Sequence, residues 1–203
     1  TVAGPLVAAD AALADLASRQ HGLLTHHQVL DHGLDPHVAA ARLRSGRWIR
    51  WHHGVYLVAG SPRDWRTSLH AACLATDGVA SHRSAGAQWD IDGCRPGMPE
   101  VTVGAERWTR RRGIRVHASD LEPVDVVTID GIATSAIDRL VLDLGRIIGV
   151  SGVRALAFEA LNRKLTTWDR LADVYDRVGS RGRPGSAALR ALLGDFDPPT
   201  IEA

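Results

Sequence analysis

The stretch between Asp35 and Asp64 is strongly cationic and contains no acidic residue. Its basic side chains are His37, Arg42, Arg44, Arg47, Arg50, His52, His53 and Arg63. Guanidinium and imidazole groups that are gathered without carboxylates form a face that attracts phosphate. The chemistry predicted here is therefore non-covalent contact with the phosphates and base edges of a nucleic acid. The alternative is an ordinary solvated charged face.

A short helix and a β-hairpin are the elements that would position these side chains. Asp35 is a good N-cap, Pro36 suits the first helical position, and Gly46 is predicted to end the helix. Two strand-like runs, 48–51 and 55–58, then lie on either side of a His-His-Gly turn. The pattern predicts one helix followed directly by one hairpin.

Two more helices are predicted before this one. Residues 9–21 carry leucines at helical spacing and are closed by Gly22, and Thr25 is a good N-cap for a second, shorter helix. Three short helices followed by a hairpin is the element order of a winged helix-turn-helix. We therefore predict a DNA-binding domain of this kind over residues 1–60.

In this interpretation the helix from Pro36 to Ser45 enters the major groove of double-stranded DNA. Arg44 is predicted to read guanine through a bidentate contact, and His37 to contact a phosphate or a base edge. The wing holds the DNA backbone, and Thr25 offers its hydroxyl and backbone N–H to a phosphate. The predicted DNA-contacting residues are Thr25, His37, Arg42, Arg44, Arg47, Arg50, His52 and His53.

The rest of the chain is predicted to form a mixed α+β domain over residues 64–194, followed by a linker or tail over 195–203. Ser61 and Pro62 mark the break between the domains. Short β-like runs between residues 93 and 135 indicate a small sheet, and helical patterns follow them. Within these patterns, the predicted N-caps are Asp64, Ser81, Ser135, Ser186 and one of Thr166 and Thr167.

A second basic cluster lies inside this α+β domain. It consists of Arg107, Arg110, Arg111, Arg112 and Arg115, with Glu106 as a neighbouring acid. Such a segment could hold a phosphate backbone, bind an acidic partner or simply be solvated, and the sequence leaves all three interpretations open.

Catalytic and metal-binding patterns are weak. Ser81 and His82 suggest a nucleophile, but adjacent helical residues point about 100° apart, so the capping role of Ser81 is favoured. Histidines are dense before residue 54, yet no pair combines ligand spacing with a cysteine or carboxylate cluster. The glycine-rich run 179–185 lacks the residue order of a phosphate-binding loop. We therefore predict no enzymatic activity, no metal site and no cofactor.

Composition limits where nucleic acid could bind. The 203 residues carry a formal net charge of only +1, so any such affinity must come from local patches. Lys164 is the single lysine, and this bias toward arginine weakens any argument from the arginine count alone.

Cys73 and Cys94 form neither a disulfide framework nor a CxxC motif, which favours a reducing cytoplasm. The N-terminal segment has the pattern of neither a signal peptide nor a membrane span, so we predict a cytoplasmic protein without a membrane partner.

The order of these motifs resembles the actinobacterial branch of the AbiEi-type antitoxin and transcriptional-regulator family. The matching segments are GLLTHHQVLDHGL at 22–34, SGRW at 45–48, HHGVYLVAG at 52–60, ASHRSAGAQW at 80–89, RRRGIRVHASDL at 110–121, VTIDGIATS at 127–135 and GRPGSAALRALL at 182–193. Together they span nearly the whole chain.

The resemblance implies a winged-helix domain followed by an α+β domain in a sequence-specific regulator that represses its own operon. It further implies the antitoxin of a type IV toxin–antitoxin pair, which acts on its toxin indirectly and without a stable complex. We expect a monomer or weak dimer that binds an operator in double-stranded DNA. The alternative is the N-terminal part of a Vsr-like endonuclease-fused protein, acting as a DNA-targeting or protein-interaction module. The sequence contains no PD-(D/E)xK pattern, so nuclease activity is not carried over.

Overall fold

The computed structural model describes residues 3–179 and 185–195 and has an α+β fold. In chain order its elements are α1 (Ala3–Arg19), β1 (Leu23–Thr25), α2 (His26–Asp31), α3 (Pro36–Arg44), β2 (Trp48–His52), β3 (Val55–Val58), α4 (Trp65–Thr76), β4 (Val79–Ala80), α5 (His82–Gln88), β5 (Glu100–Val103), β6 (Arg115–Ala118), β7 (Val126–Ile129), β8 (Ile132–Ser135), α6 (Ile137–Asn162), α7 (Trp168–Val178) and α8 (Ser186–Gly194). Short 3-10 turns cover Ala105–Arg107 and Pro123–Asp125.

The N-terminal elements confirm the predicted winged helix-turn-helix. Strands β1, β3 and β2 form an antiparallel sheet in that order, with Leu24 opposite Tyr56 and Ile49 opposite Leu57. Helices α1, α2 and α3 bury their apolar faces against this sheet in one cluster. Its buried members are Leu13, Ala17, Leu24, Val29, Leu34, Ala39, Trp48 and Tyr56.

The second sheet has the strand order β6-β5-β4-β8-β7. Strand β5 pairs parallel to β6, with Val101 opposite Val116, and antiparallel to β4. Asp130 and Gly131 connect β7 to β8 and have φ values of 50° and 76°. Two consecutive positive φ values are those of a two-residue hairpin turn, which confirms the Asp-Gly signal in the sequence.

The described residues divide into two compact units. The first takes in 3–80, 97–120 and 128–133, and the second takes in 81–96, 121–127, 134–179 and 185–195. The domain boundary predicted near residues 60–64 stays a prediction.

In the first unit, α4 packs against both sheets. Ala71 belongs to a buried cluster with Leu23, Val55 and Leu57 of the winged-helix sheet. Other residues of α4 join a cluster with β4, β5, β8 and the residue before β6. Its buried members are Leu69, Ala72, Cys73, Ala80, Val101, Ile114 and Ile132. Apolar burial on two faces therefore fixes the wing and the β5–β6 region to the same helix.

In the second unit, α5 and α6 pack with α7 and α8 around one apolar core. Helix α6 has a non-helical residue at Gly149, with φ 66° and ψ −173°, so it is two helical segments joined by a kink, as the separate sequence patterns predicted. Helix α7 begins after Thr167, whose hydroxyl accepts a hydrogen bond from the N–H of Arg170 at 3.3 Å.

Two predicted N-caps are wrong. Ser135 is the last residue of β8, and Ala136 occupies the N-cap position of α6 without a side-chain hydrogen bond. Helix α8 is preceded by Gly185, with φ +92°, and Ser186 is its first residue. A Cβ at Gly185 would lie 2.0 Å from the carbonyl oxygen of Leu142, so close packing on α6 and backbone conformation select glycine there.

Parts of two other predictions lie outside the described residues. Of the glycine-rich run 179–185, only Gly179 and Gly185 are described, and of the predicted tail 195–203, only Asp195 is described. None of the described helices is both long enough and apolar enough to cross a membrane.

Candidate nucleic-acid interface

Helix α3 is placed by a cap at its start and by apolar residues on one face. The carboxylate of Asp35 accepts a hydrogen bond from the backbone N–H of His37 at 2.7 Å, and Pro36 occupies the first turn, as predicted. Ala39 is buried in the winged-helix core, and Val38 and Leu43 pack against it. The opposite face is therefore turned to solvent, with His37, Ala41 and Arg44 exposed.

The chain turns from α3 into the wing at Ser45 and Gly46. Gly46 has φ +72°, and a Cβ there would meet nothing within 4 Å, so backbone conformation rather than space favours glycine. The hairpin that follows pairs Trp48 with Val58 and Arg50 with Tyr56, and its register shifts between Arg50 and His52.

Two aromatic rings connect the wing to the helices. Trp48 stacks on Tyr56 with ring centroids 5.8 Å apart and an interplanar angle of 13°. The Tyr56 hydroxyl lies 3.1 Å from Nδ1 of His26, and the N–H of His26 donates to the carbonyl of Gly54 at 2.8 Å. These contacts fix the start of α2 against the turn of the wing.

Arg42, which was among the predicted DNA-contacting residues, is enclosed and paired within the fold. Its guanidinium pairs with Asp10 of α1 and lies over the indole of Trp48, 4.8 Å from the ring centroid. Only 14% of the side chain is exposed. The sequence-based prediction missed this role because Asp10 lies 32 residues earlier, and no local pattern links the two positions.

Thr25 is also engaged within the fold. Its hydroxyl oxygen accepts from the N–H of Gln28 at 3.1 Å, and its own N–H donates to Oε1 of Gln28 at 2.8 Å. This is a complete capping box, so the predicted N-cap is confirmed. The expectation that the Thr25 N–H is available to a phosphate is wrong, because Gln28 accepts that hydrogen bond.

The remaining predicted contact residues are brought together on one helix and one hairpin. Arg44, Arg47, Arg50, His37 and His53 are all exposed. None of the three arginines forms an ion pair with any residue that the structure describes. Guanidinium groups without carboxylate partners keep their full charge available for phosphate.

His52 is more enclosed than these neighbours. Burial lowers the pKa of His52, and the positive charge of Arg111 lowers it further. The imidazole is therefore mainly neutral near pH 7, where it can donate one hydrogen bond without carrying a charge.

The second basic cluster divides into paired and unpaired arginines. Arg107 forms an ion pair with Asp77, and Arg115 lies 3.3 Å from the buried carboxylate of Glu100. Arg110, Arg111 and Arg112 are exposed and have no ion-pair partner within the described ranges.

Ser81 and His82 are closer than the sequence argument allowed. Nδ1 of His82 lies 3.0 Å from the Ser81 hydroxyl, because His82 has a left-handed backbone with φ 50° rather than ordinary helical geometry. Ser81 occupies the N-cap position of α5, but its hydroxyl makes no capping hydrogen bond, so the predicted capping contact is wrong.

Comparison with known proteins agrees with the winged-helix assignment. Residues 11–59 match the family model described as the transcriptional regulator, AbiEi antitoxin. The crystal structure of the RV2827C protein from Mycobacterium tuberculosis superposes with a TM-score of 0.51 and 14% sequence identity, covering 94% of this chain and 82% of that chain. At this identity the similarity concerns the fold alone. No curated protein matches the sequence. Residues 11–59 are thus similar to the AbiEi antitoxin family of transcriptional regulators, and that match does not extend to the rest of the chain.

Proposed function

We infer that the protein is a sequence-specific regulator that binds double-stranded DNA and represses its own promoter. The observation that carries this proposal is the exposed face of α3 and the wing. On this face Arg44, Arg47 and Arg50 have no carboxylate partner among the described residues, while the helix is fixed by its cap and its apolar side. A rigid helix beside a hairpin is the geometry by which winged helices enter a groove and contact its edge.

The helix supplies the sequence readout in this proposal. The major groove is about 12 Å wide and admits one α-helix. Arg44 reaches a guanine and donates two hydrogen bonds to its O6 and N7 atoms. His37, at the start of the helix, contacts a phosphate or base edge, and the neighbouring Ala40 and Ala41 offer only small apolar contacts, such as those with thymine methyl groups.

The wing supplies affinity that does not depend on sequence. Arg47 and Arg50 are exposed at the start and in the middle of the hairpin, and His53 is exposed in its turn. Contacts from these groups to phosphates release counterions and hold the register of the protein on the duplex. Since α3 has only two exposed long polar side chains, His37 and Arg44, much of the binding free energy comes from the wing.

The biological role that we propose is that of an autorepressing antitoxin in a type IV pair. The family match of residues 11–59 supports it. In this role the chain acts in the cytoplasm as a monomer or weak dimer, has no enzymatic activity and counteracts its toxin indirectly, without a stable complex.

A binding titration with two duplexes tests the DNA-binding part. One duplex carries the sequence upstream of the protein's own gene, and the other is a scrambled sequence of equal length. We expect the upstream duplex to bind at least about 1,000-fold more tightly, with affinity for both falling steeply between about 50 mM and about 200 mM salt. Equal affinity for the two duplexes would contradict sequence-specific regulation. A reporter gene behind the same upstream sequence tests autorepression, because expression of the protein should silence it.

A further inference from the structure

The arginine turn, defined as Arg110–Gly113, extends the basic surface beyond the winged helix. Arg111 and Ile114 form an isolated antiparallel bridge, and the N–H of Ile114 donates to the carbonyl of Arg111 at 3.3 Å. Gly113 has φ +75°, so the chain reverses tightly there and places Arg112 at the tip. Three exposed guanidinium groups are thus presented on a short, closed turn.

The arginine turn is held in place at both ends. Before it, the indole N–H of Trp108 donates to the carbonyl of Val116 at 3.1 Å. After it, Ile114 is buried in the cluster shared with α4, and Arg115 begins β6 beside Glu100. The turn is therefore preorganised, and ordering it on a ligand costs little conformational entropy.

The wing and the arginine turn are fixed to the same helix. Helix α4 packs on the wing sheet through Ala71, and on the β5–β6 cluster through Leu69 and Cys73. The positive charge of Arg111 also lowers the pKa of His52, which lies beside the turn of the wing.

A recess beside the turn has the chemistry for a phosphodiester. It has a volume of about 260 Å³ and is lined by Trp108, Arg110, Arg111 and Arg115 together with the apolar side chains of Met98, Ile114 and Val116. Trp108 is 54% exposed although its polar N–H is already bonded within the fold, so the indole face is available to a sugar.

We propose that the arginine turn binds the sugar–phosphate backbone of the same duplex, on the flank next to the wing. This inference rests on the proposed DNA-binding function and extends it to a second contact surface, supplied by the strand connection that follows β5. The occupant is a polyanion, because the turn offers Arg110, Arg111 and Arg112 without ion-pair partners among the described residues. It is DNA, because the turn and the wing are fixed to the same helix, α4, within one compact unit.

The test compares two generic duplexes that differ in length. One spans about one helical turn, roughly 10 base pairs, and covers the winged helix alone, while the other spans about 25 base pairs and includes the flank. The wild-type chain is titrated against R110Q/R111Q/R112Q, with salt varied between about 50 mM and about 200 mM. The control is R95Q/R146Q/R190Q, which removes the same charge from exposed arginines of the second unit.

For the long duplex, we expect the logarithmic salt slope of R110Q/R111Q/R112Q to be smaller by about 2 to 3 than that of the wild type. Raising the salt from about 50 mM to about 200 mM should therefore weaken binding of the variant about 40-fold less than it weakens binding of the wild type, because three phosphate contacts are missing. The short duplex should bind the variant and the wild type alike, and the control should behave like the wild type on both. Arg→Lys substitutions at the same three positions should restore most of the slope. Unaltered circular dichroism of each variant establishes that the fold is intact.

The failures of the two proposals are distinguishable. If the variant and the control bind the long duplex with the same salt slope, the arginine turn does not contact DNA. That result overturns this inference and leaves the proposed function intact. An equal loss on both duplexes would also overturn it, because the contact would then not lie on the flank. If the wild-type chain binds neither duplex, the proposed function fails first.

Discussion

The guanidinium of Arg42 lies 4.8 Å from the ring centroid of Trp48, and the same guanidinium pairs with Asp10. These two contacts join α1, α3 and the first strand of the wing through one side chain. An arginine inside the acid-free window therefore supports the proposed DNA-binding surface from within.

Replacement of Arg42 should lower the stability of the fold. Where the variant is fully folded, it should keep most of its DNA affinity. We expect Arg42→Gln to reduce the free energy of unfolding by about 1–2 kcal/mol, because the cation–π contact and an ion pair with the half-exposed Asp10 are lost. Urea denaturation measures this loss. Under conditions where the variant is fully folded, its affinity for the upstream duplex should fall less than tenfold. A loss of affinity as large as that of Arg44→Ala, with unchanged stability, would show instead that Arg42 contacts DNA.

Replacement of Arg44 should reduce discrimination between sequences. If Arg44 makes the proposed bidentate contact with guanine, Arg44→Ala should lose about 1–3 kcal/mol on the upstream duplex and much less on a scrambled one. Arg44→Lys keeps the charge but not the planar fork, so it should recover affinity for both duplexes without recovering their ratio. Competition titrations with single base-pair changes measure the ratio. Equal losses on all sequences would place Arg44 on the backbone.

DNA binding should become tighter as the pH falls, in part through His52. In the free protein, burial and then Arg111 hold the pKa of His52 below its ordinary value. A nearby phosphate favours the charged imidazole and raises that pKa in the complex, so binding takes up a proton. Affinity therefore increases as the pH falls through the pKa that His52 has in the complex, and the increase ends below the pKa that it has in the free protein. The total increase is about tenfold for each pH unit between these two pKa values.

The measurement for His52 is the affinity from about pH 8 to about pH 5.5 at constant ionic strength. His52→Gln should show a shallower pH dependence than the wild type. A variant whose pH dependence equals that of the wild type would exclude His52 from the contact.

Arg139 should be essential to the stability of the second unit. Its side chain is fully buried and donates to Asp125 at 3.0 Å and to Asp143 at 3.0 Å. Burial raises the pKa of Asp125, but the hydrogen bond from Arg177 and the charge of Arg139 outweigh burial and hold that pKa below its usual value. Arg139→Met leaves buried carboxylates without this partner, and we expect a loss of about 3–5 kcal/mol.

Urea denaturation with Arg154→Gln as the matched control tests the role of Arg139. Arg154 pairs with Asp195, and both side chains are about half exposed, so the control should lose less than about 1 kcal/mol. Similar losses in the two variants would contradict a structural role for the buried network.

The local patterns of the sequence predicted most of the fold. Asp35 and Thr25 cap their helices as expected, and the Asp130-Gly131 turn forms the predicted hairpin, because a cap or a two-residue turn is determined by neighbouring residues. The predictions at Ser135 and Ser186 were wrong because they too were made from neighbouring residues alone. A serine is a good cap in isolation, but burial of β8 and the close approach of Gly185 to α6 decided where those helices begin.

The candidate site was only partly predictable, because long-range pairing decides which arginines are free. Arg42, Arg44 and Arg50 look alike in the sequence, and only the fold shows that Asp10 engages Arg42. The proximity of Arg111 to His52 could not be predicted either, since it depends on α4 packing between two sheets.

Titration of the upstream duplex with the double variant R44A/R50A tests the central claim most directly. Arg44 represents the sequence-reading helix and Arg50 the wing, and both are exposed, so the fold should be unaffected. We expect the double variant to lose at least about 100-fold in affinity and to show a salt slope smaller by about 1, whereas R146A/R190A should match the wild type. Wild-type affinity and salt slope in the double variant would contradict the assignment of α3 and the wing as the DNA-binding surface.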